Sequence, residues 1–580
     1  MTNQEIAKVL YEIGEYLEMQ GVVFKPRAYE KVAETIESLQ EEVADIYRRG
    51  GLKAIEDISG VGVSIAEKIE ELIKTGKLKY YEDLKKKTPV DLSSLTQVQG
   101  LGPRKIKALY QKLKIRNLAD LEKAAKAGKI ARLEGFGPKS EENILKGLKF
   151  VKSSGGRFAL GSVLPDILAI RDKLKKLEEV KRIEMAGSVR RRKETVGDAD
   201  LLVISDKPKP VMDYFVSLPE AARVLAHGET KSAITLKNGM NVDVRVVPEE
   251  SYGAALSYFT GSKDHNVMLR QIAIKKGYTL NEYGLFRGKA GAKGRLVAGR
   301  SEEEIYKALD MSYIEPEMRE MRGEIELAQK NKLPKLISYG DLKGDLQIQT
   351  SWTDGDNSLE EMMNAAIKNG LKYIAITDHT KRLAMARGLD EKRIIQQMKE
   401  IDELNKRLKM RGARFTILKG TECDILQDGS LDLPDRILAK LDVVGVSVHS
   451  LFNLSRREQT ERIKKAMRNP NVDILFHPTG RLIQRREPYD ADMDEIIKTA
   501  SETGTILEIN GSPDRLDLKD EYIKKCVEAG VKMTIDSDAH NIPHMGVAVY
   551  GVAQARRGWA TKNDIINAWP VEKMLSFLKK

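Results

Sequence analysis

Residues 187–200 read GSVRRRKETVGDAD, and the residue types and their spacing describe one kind of chemistry. The Asp-x-Asp pair opens the apolar run Leu201-Leu202-Val203-Ile204, which predicts a strand on which residues two apart share a face. Asp198 and Asp200 then converge on one cation. A third carboxylate, Asp243, lies in the alternating segment 241–247, whose polar face can lie beside the first pair. Three carboxylates suit two divalent ions, Mg²⁺ or Mn²⁺, clamping the oxygens of an in-line phosphoryl displacement. Gly187 and Ser188 form a turn whose N–H groups can approach a triphosphate, and Arg190, Arg191 and Arg192 neutralise its charge. A lone Asp-x-Asp is more often a strand end beside a solvated loop; the combination describes a site.

Further along, Tyr258-Phe259-Thr260-Gly261-Ser262-Lys263-Asp264-His265-Asn266 sets two aromatics before a glycine turn and then starts a helix. The aromatic faces can pack on sugar and base, Gly261 permits the turn, and Asn266 and Arg270 fall on one helical face. The order GS, DAD, VDVR, YFTGSKDHN and LNEYGLF resembles family X DNA polymerases, the group of DNA polymerase beta, over roughly residues 1–315. The resemblance implies Asp198, Asp200 and Asp243 as catalytic metal ligands and a nucleotide site made of Gly187, Ser188, Arg191, Gly197 and Gly261. It also implies Tyr258 and Phe259 along the sugar and Asn266 and Arg270 at the nascent base pair. Primer-template or gapped DNA and dNTPs would be the partners.

Three similar turns precede this region: Ile58-Ser59-Gly60-Val61-Gly62, Val98-Gln99-Gly100-Leu101-Gly102 and Leu133-Glu134-Gly135-Phe136-Gly137. Each resembles the hairpin of a helix-hairpin-helix, where Gly-x-Gly exposes N–H groups to a DNA phosphate without reading sequence. Gly60, Gly62, Gly100 and Gly102, with Arg104 and Lys105, are the expected DNA contacts. After the first hairpin, Lys68 aligns with the lyase nucleophile of DNA polymerase beta. An amine there can form a Schiff base with an abasic sugar or simply contact a phosphate. Ser64 stands where that pattern has a supporting lysine.

Beyond residue 337, apolar runs alternate with helical stretches: 373–376, 415–418, 443–448, 474–476, 505–509 and 533–535. This alternation predicts a barrel-like parallel sheet. Of the seven histidines in the chain, four sit at or just beyond these runs, so they should converge on one face. Asp354, His379, Glu422, His449, His477, Asp538 and His540 together suit Zn²⁺, Mn²⁺ or Fe. The arrangement resembles the polymerase and histidinol phosphatase (PHP) domain, which implies a Mn²⁺-stimulated 3′-5′ exonuclease or related phosphoesterase. Its fusion to a family X core is a bacterial and archaeal pattern. Where that family has His-x-His this chain has Gln347 and Gln349, neutral amides that should weaken one metal position and impair nuclease action.

These sites need several elements to position them, and 580 residues suffice for several cores. The reading is a multidomain α/β protein: helical helix-hairpin-helix N-terminal domains, a nucleotidyltransferase α+β palm and a C-terminal distorted TIM-like PHP barrel. The expected bounds are 1–86 (lyase-like), 87–150 (hairpin subdomain), 151–250 (palm), 251–316 (nucleotide-binding), 317–337 (a charged linker helix) and 338–580 (PHP). A net charge of +12 suits a polyanionic partner. Two cysteines, Cys423 and Cys526, exclude a disulfide framework and suit a reducing cytoplasm; no uncharged run approaches a membrane span. A monomeric gap-filling repair polymerase is the principal reading. The alternatives are a DNA-end nuclease using the polymerase module as a clamp, and a noncatalytic DNA-binding scaffold.

Overall fold

One turn, used three times, organises the first unit of the fold, residues 1–155 with 484–487. In each hairpin the N–H between the two glycines donates three residues back: Val61 to Ile58 O (3.0 Å), Leu101 to Val98 O (3.0 Å) and Phe136 to Leu133 O (2.9 Å). The side chain between the glycines is buried in every case, which explains why that position is apolar. Gly60 and Gly135 adopt φ of 80° and 81°, a conformation that disfavours a side chain. Each hairpin leads into a helix: Val63–Thr75, Pro103–Leu113 and Pro138–Ser153. Their apolar faces enter one cluster that also crosses the expected 86/87 boundary, with Leu78 and Leu84 beside Val90 and Leu95. The computed structural model describes the chain except residues 2, 23–24, 38, 40, 59, 97, 99–100, 154–156, 289–293 and 579–580.

The second unit, 156–483 with 488–580, begins with a five-stranded sheet. Its strands are β1 (Arg182–Met185), β2 (Asp198–Ile204), β3 (Ala221–His227), β4 (Lys231–Leu236) and β5 (Asn241–Val246), in the order β1-β2-β5-β4-β3. Only β2 and β5 are parallel, and they are neighbours at its centre. Ala199 and Leu201 on β2 and Val242 and Val244 on β5 face the core, so the intervening aspartates take the opposite face. A small antiparallel sheet follows, β6 (Tyr278–Asn281), β7 (Gly284–Arg287) and β8 (Arg295–Ala298), packed with the helices Tyr252–Thr260 and Lys263–Lys275.

The segment 317–337 differs from the expected linker helix. Only Glu324–Gln329 is α-helical, and Glu317, Arg319 and Glu324 are buried. Each charge has a distant partner: Glu317 pairs with Arg556 (2.7 Å), Arg319 with Glu302 (2.6 Å) and Glu324 with His265 (2.9 Å).

Seven parallel strands then run side by side in chain order: β9 (Gly344–Ile348), β10 (Tyr373–Ile376), β11 (Thr416–Asp424), β12 (Val443–Ser447), β13 (Ile474–Leu475), β14 (Ile506–Asn510) and β15 (Met533–Asp536). A parallel bridge between Ile348 and Ala539, with Gln349 N donating to Ala539 O (2.9 Å), nearly closes them into a barrel. The strands are buried on both faces, which is why they read as unbroken apolar runs. Four of the helices between them start at side-chain caps, Ser358, Asp390, Ser455 and Asp492. Ser358 and Ser455 each form a reciprocal capping box with the glutamate three residues on, a contribution of about 1 kcal/mol per helix.

Candidate functional site

On the first sheet the ladder places Asp200 directly opposite Asp243 and Asp198 opposite Asn241. The three carboxylates therefore share one face of two adjacent strands. Burial, then the charges of Asp198 and Asp243, pushes the Asp200 carboxyl up to about 6. Lys231, on β4, reaches Asp243 Oδ2 at 3.1 Å. The turn at 187–190 stands against this cluster. Gly187 has φ 63°, and a Cβ there would fall 2.9 Å from Asp200 Oδ2, so both backbone and space call for glycine. Ser188 lies within the one-turn helix Gly187–Arg190, whose start has no side-chain cap. At Gly197 an added Cβ would meet only Arg157 Nη1 at 3.6 Å, so packing does not demand glycine there.

Arg191 is not a free cation. Its Nε donates to Glu320 (3.0 Å) and its Nη1 to the Thr260 carbonyl. Arg190 is also engaged, by Glu302 (2.6 Å) and the Thr260 hydroxyl (2.7 Å). Burial opposes the charge of Glu302, but Arg319 and Arg190 pull its carboxyl down to about 2. Tyr258 and Phe259 close the helix Tyr252–Thr260 with rings 5.1 Å apart, edge to face. The Arg245 guanidinium lies 4.6 Å from the Phe259 ring, which joins the aromatic pair to the strand bearing Asp243. Asn266 Nδ2 donates to the Tyr258 carbonyl (2.6 Å), and Arg270 Nε to the Asn266 carbonyl (3.3 Å). Gly261, with φ 67°, turns the chain beside the Arg191 guanidinium. The structure thus gathers the aspartates, the 187–191 turn and the aromatic pair. Sequence reading missed Lys231 and Arg245, whose signal was their place on strands flanking an acidic face.

At the barrel, the expected ligands lie at the C-terminal ends of the strands or in the loops just beyond. Two groups offer converging ligand atoms within 4.8 Å: Asp354, His379 and His540, and His379, Glu422 and His449. His379 belongs to both. His477 Nε2 reaches the second group through Glu422 Oε1 (2.8 Å). Asp538 stands outside both groups, accepting from Asn510 (3.1 Å) and facing Arg515 (3.6 Å). Burial holds His379 and His477 below the usual imidazole value. Burial also disfavours charge on His449, yet Asp424 and Glu422 outweigh it and raise that ring to about 9. Asp354 Oδ1 and His379 Nδ1 are buried without a hydrogen-bond partner among the described residues, so this donor set fits a cation.

Gln347 and Gln349, on and just beyond β9, lie against Glu422. Both amides donate to the same oxygen, Glu422 Oε2, at 3.1 and 2.9 Å. Asn510 in turn donates to Gln347 Oε1 (3.3 Å). The glutamines therefore satisfy a carboxylate instead of adding nitrogen ligands. Asn510, Glu508, Asp424 and Arg515 were missed; Glu508 and Asn510 end a strand at the same level as the expected ligands.

In the first unit, Gly62 and Gly102 begin their helices without side-chain caps, leaving N–H groups open to an anion. Arg104 is exposed, 3.9 Å from Glu18, and Lys105 lies 6.0 Å from the Phe136 ring. Gly100 falls outside the described residues. Lys68 Nζ donates to the Ser64 carbonyl (2.8 Å) and hydroxyl (2.9 Å) and sits 5.1 Å from the Tyr80 ring. Burial, and then nearby Lys25, lowers its amine pKa.

Family models match in four places: a helix-hairpin-helix domain over 1–78, a SAM-like helix-hairpin-helix tandem over 92–149, the DNA polymerase beta thumb over 255–320 and a PHP domain over 345–540. The tandem match includes the third hairpin. The DNA polymerase/3′-5′ exonuclease PolX of Bacillus subtilis (strain 168) is 38% identical over 583 aligned positions, covering 100% of both chains. A probable phosphatase of Thermoanaerobacter sp. (strain X514) is 31% identical, covering 39% of this chain and 89% of its own. A probable phosphatase of Caldanaerobacter subterraneus is 32% identical, covering 32% and 70%.

Proposed function

The chain belongs to the PolX family of DNA polymerase/3′-5′ exonucleases, and from that premise we propose that it fills short gaps in DNA during base excision repair, as a cytoplasmic monomer. The primer 3′-hydroxyl attacks the α-phosphate of a dNTP and pyrophosphate leaves. The observation that carries this reading is the ladder pairing of Asp200 with Asp243, which sets three carboxylates beside the 187–190 turn. Burial, and then the charges of Asp198 and Asp243, disfavour ionised Asp200, and a divalent cation offsets both, so the residues fit Mg²⁺ or Mn²⁺. Bound ions would supply Lewis-acid stabilisation to the attacking and leaving oxygens. Ser188 and the backbone of the turn bind the triphosphate, and Arg191 turns from Glu320 to join them. Tyr258 and Phe259 line the sugar, while Asn266 and Arg270 face the nascent pair. The hairpins at Gly60–Gly62 and Gly100–Gly102 hold the duplex through phosphates, with Arg104 and Lys105 beside them. Lys68, with its lowered pKa, is positioned for either a phosphate contact or Schiff-base chemistry at an abasic end.

The barrel is a 3′-5′ exonuclease-type phosphoesterase whose action the glutamine pair weakens. Asp354, His379, His540, Glu422 and His449 would hold Zn²⁺, Mn²⁺ or Fe, with His477 and Asp538 nearby, but Gln347 and Gln349 donate amide hydrogen bonds to Glu422 where the family pattern has imidazole. Primer extension with Asp243→Ala tests the polymerase reading. Extension should fall by about 10³-fold or more while gapped-DNA affinity persists. Undiminished extension would refute the aspartate assignment.

A further inference from the structure

Loop 190–194, which carries the basic run, is held from the barrel side at both ends. Arg557, the last residue of the helix Ala548–Arg557, donates from Nη1 to the Arg191 carbonyl (2.8 Å) and to Glu320 Oε1 (3.1 Å). Its Nη2 is anchored on Asp520 Oδ2 at 2.6 Å. The same Glu320 oxygen accepts from Arg191 Nε, so one carboxylate serves both guanidinium groups. The Arg557 side chain is only 3% exposed. At the far end of the loop, Glu194 Oε2 accepts from Arg481 Nη2 (2.8 Å) and Gln554 Nε2 (3.4 Å). Arg481 is itself fixed by the carbonyls of Arg515 and Leu516. The helix Leu160–Lys175 meets the same wall so closely that a Cβ on Gly161 would fall 2.0 Å from Pro513 Cβ.

An interface needed only to join two domains can be satisfied by apolar packing and exposed rim charges. Here a buried guanidinium binds the backbone carbonyl of the residue that carries the basic side chain. Because arginine presents its donors in a rigid fork, it fixes both that backbone and the carboxylate orienting the Arg191 side chain. When Arg191 leaves Glu320 for a triphosphate, Arg557 and, at 3.7 Å, Lys193 remain to pair the carboxylate. The loop can thus release Arg191 without stranding a charge.

We propose that the barrel forms a structural part of the nucleotide site: Arg557 and Arg481 are positioning residues that, through Glu320 and Glu194, set the loop presenting Arg191 to the incoming triphosphate. The inference rests on the polymerase reading above. It requires no metal in the barrel, so weakened barrel chemistry does not remove this role.

Single-nucleotide insertion on gapped DNA by the full chain tests it, with Glu194→Ala, Arg481→Ala, the double variant, Arg557→Ala and Arg557→Lys. Glu194 is 26% exposed, so Glu194→Ala keeps the measurement open even where loss of a buried arginine unfolds the protein. Each single Glu194 or Arg481 variant is expected to raise the dNTP KM by roughly 10-fold, with kcat and gapped-DNA affinity little changed. The double variant should be no worse than either single. Arg557→Lys should lie between wild type and Arg557→Ala. Lys525→Ala, which removes an outward ion pair with Asp494, should leave KM unchanged. Folded Glu194→Ala and Arg481→Ala proteins with wild-type KM would overturn the proposal while leaving the polymerase reading intact. A wild-type chain that inserts nothing would overturn both.

Discussion

Burial, and then the charges of Asp198 and Asp243, hold the Asp200 carboxyl up to about 6. An acid whose folded pKa exceeds its unfolded value costs stability once it ionises. The cation-free protein should therefore lose stability as pH rises from about 4 to about 6. Asp200→Asn is expected to stabilise the cation-free protein at pH 7 by on the order of 2 kcal/mol. Thermal melting in a chelator across this pH range checks the sign; a variant that melts below wild type above pH 6 contradicts it. In the barrel, replacing both Gln347 and Gln349 with His sets two imidazoles against Glu422 in place of two amide donors. Bound Mn²⁺ and shortening of a 3′ end should both increase, read by metal analysis and gel; unchanged metal content would refute the role given to the glutamines. The aspartates were legible because strand periodicity puts residues two apart on one face. Lys231 was not, because its approach to Asp243 depends on the β4–β5 register, which pairs Lys231 with Arg245.

Among the elements, the hairpins were the most legible. A glycine at positive φ, a buried apolar residue and an uncapped helix start all leave local marks in sequence. If they grip phosphates, Arg104→Ala with Lys105→Ala should flatten the slope of log affinity against log salt by about 1 per lost contact, uniformly across DNA sequences. A titration series on gapped duplex reads this, and an unchanged slope would remove those residues from the interface. The 317–337 segment was misread for an equally physical reason. A run rich in Glu and Arg looks solvated when its partners are unknown, and Glu317 finds Arg556 only 239 residues later. Charge pattern alone cannot distinguish a solvated helix from a strap whose buried charges, Glu317, Arg319 and Glu324, are paired with residues outside it.

For the whole molecule, the chain reads as two kinds of phosphate chemistry built on one compact second unit. Alternation of apolar runs with helices revealed the barrel, and the polar residues ending those runs revealed its mouth. Which of those residues pair with each other stayed hidden, because strand order and closure through Ile348 and Ala539 decide it. Among the described residues no helix is long and apolar enough to cross a membrane. The central claim is that nucleotide insertion is the principal activity and that nuclease action is weakened by the glutamine pair. The most direct measurement follows a 5′-labelled primer on one-nucleotide-gapped DNA with Mg²⁺ or Mn²⁺, with and without dNTPs. Extension by one nucleotide with little shortening is the predicted result; shortening without extension would contradict the account and make the barrel the principal enzyme.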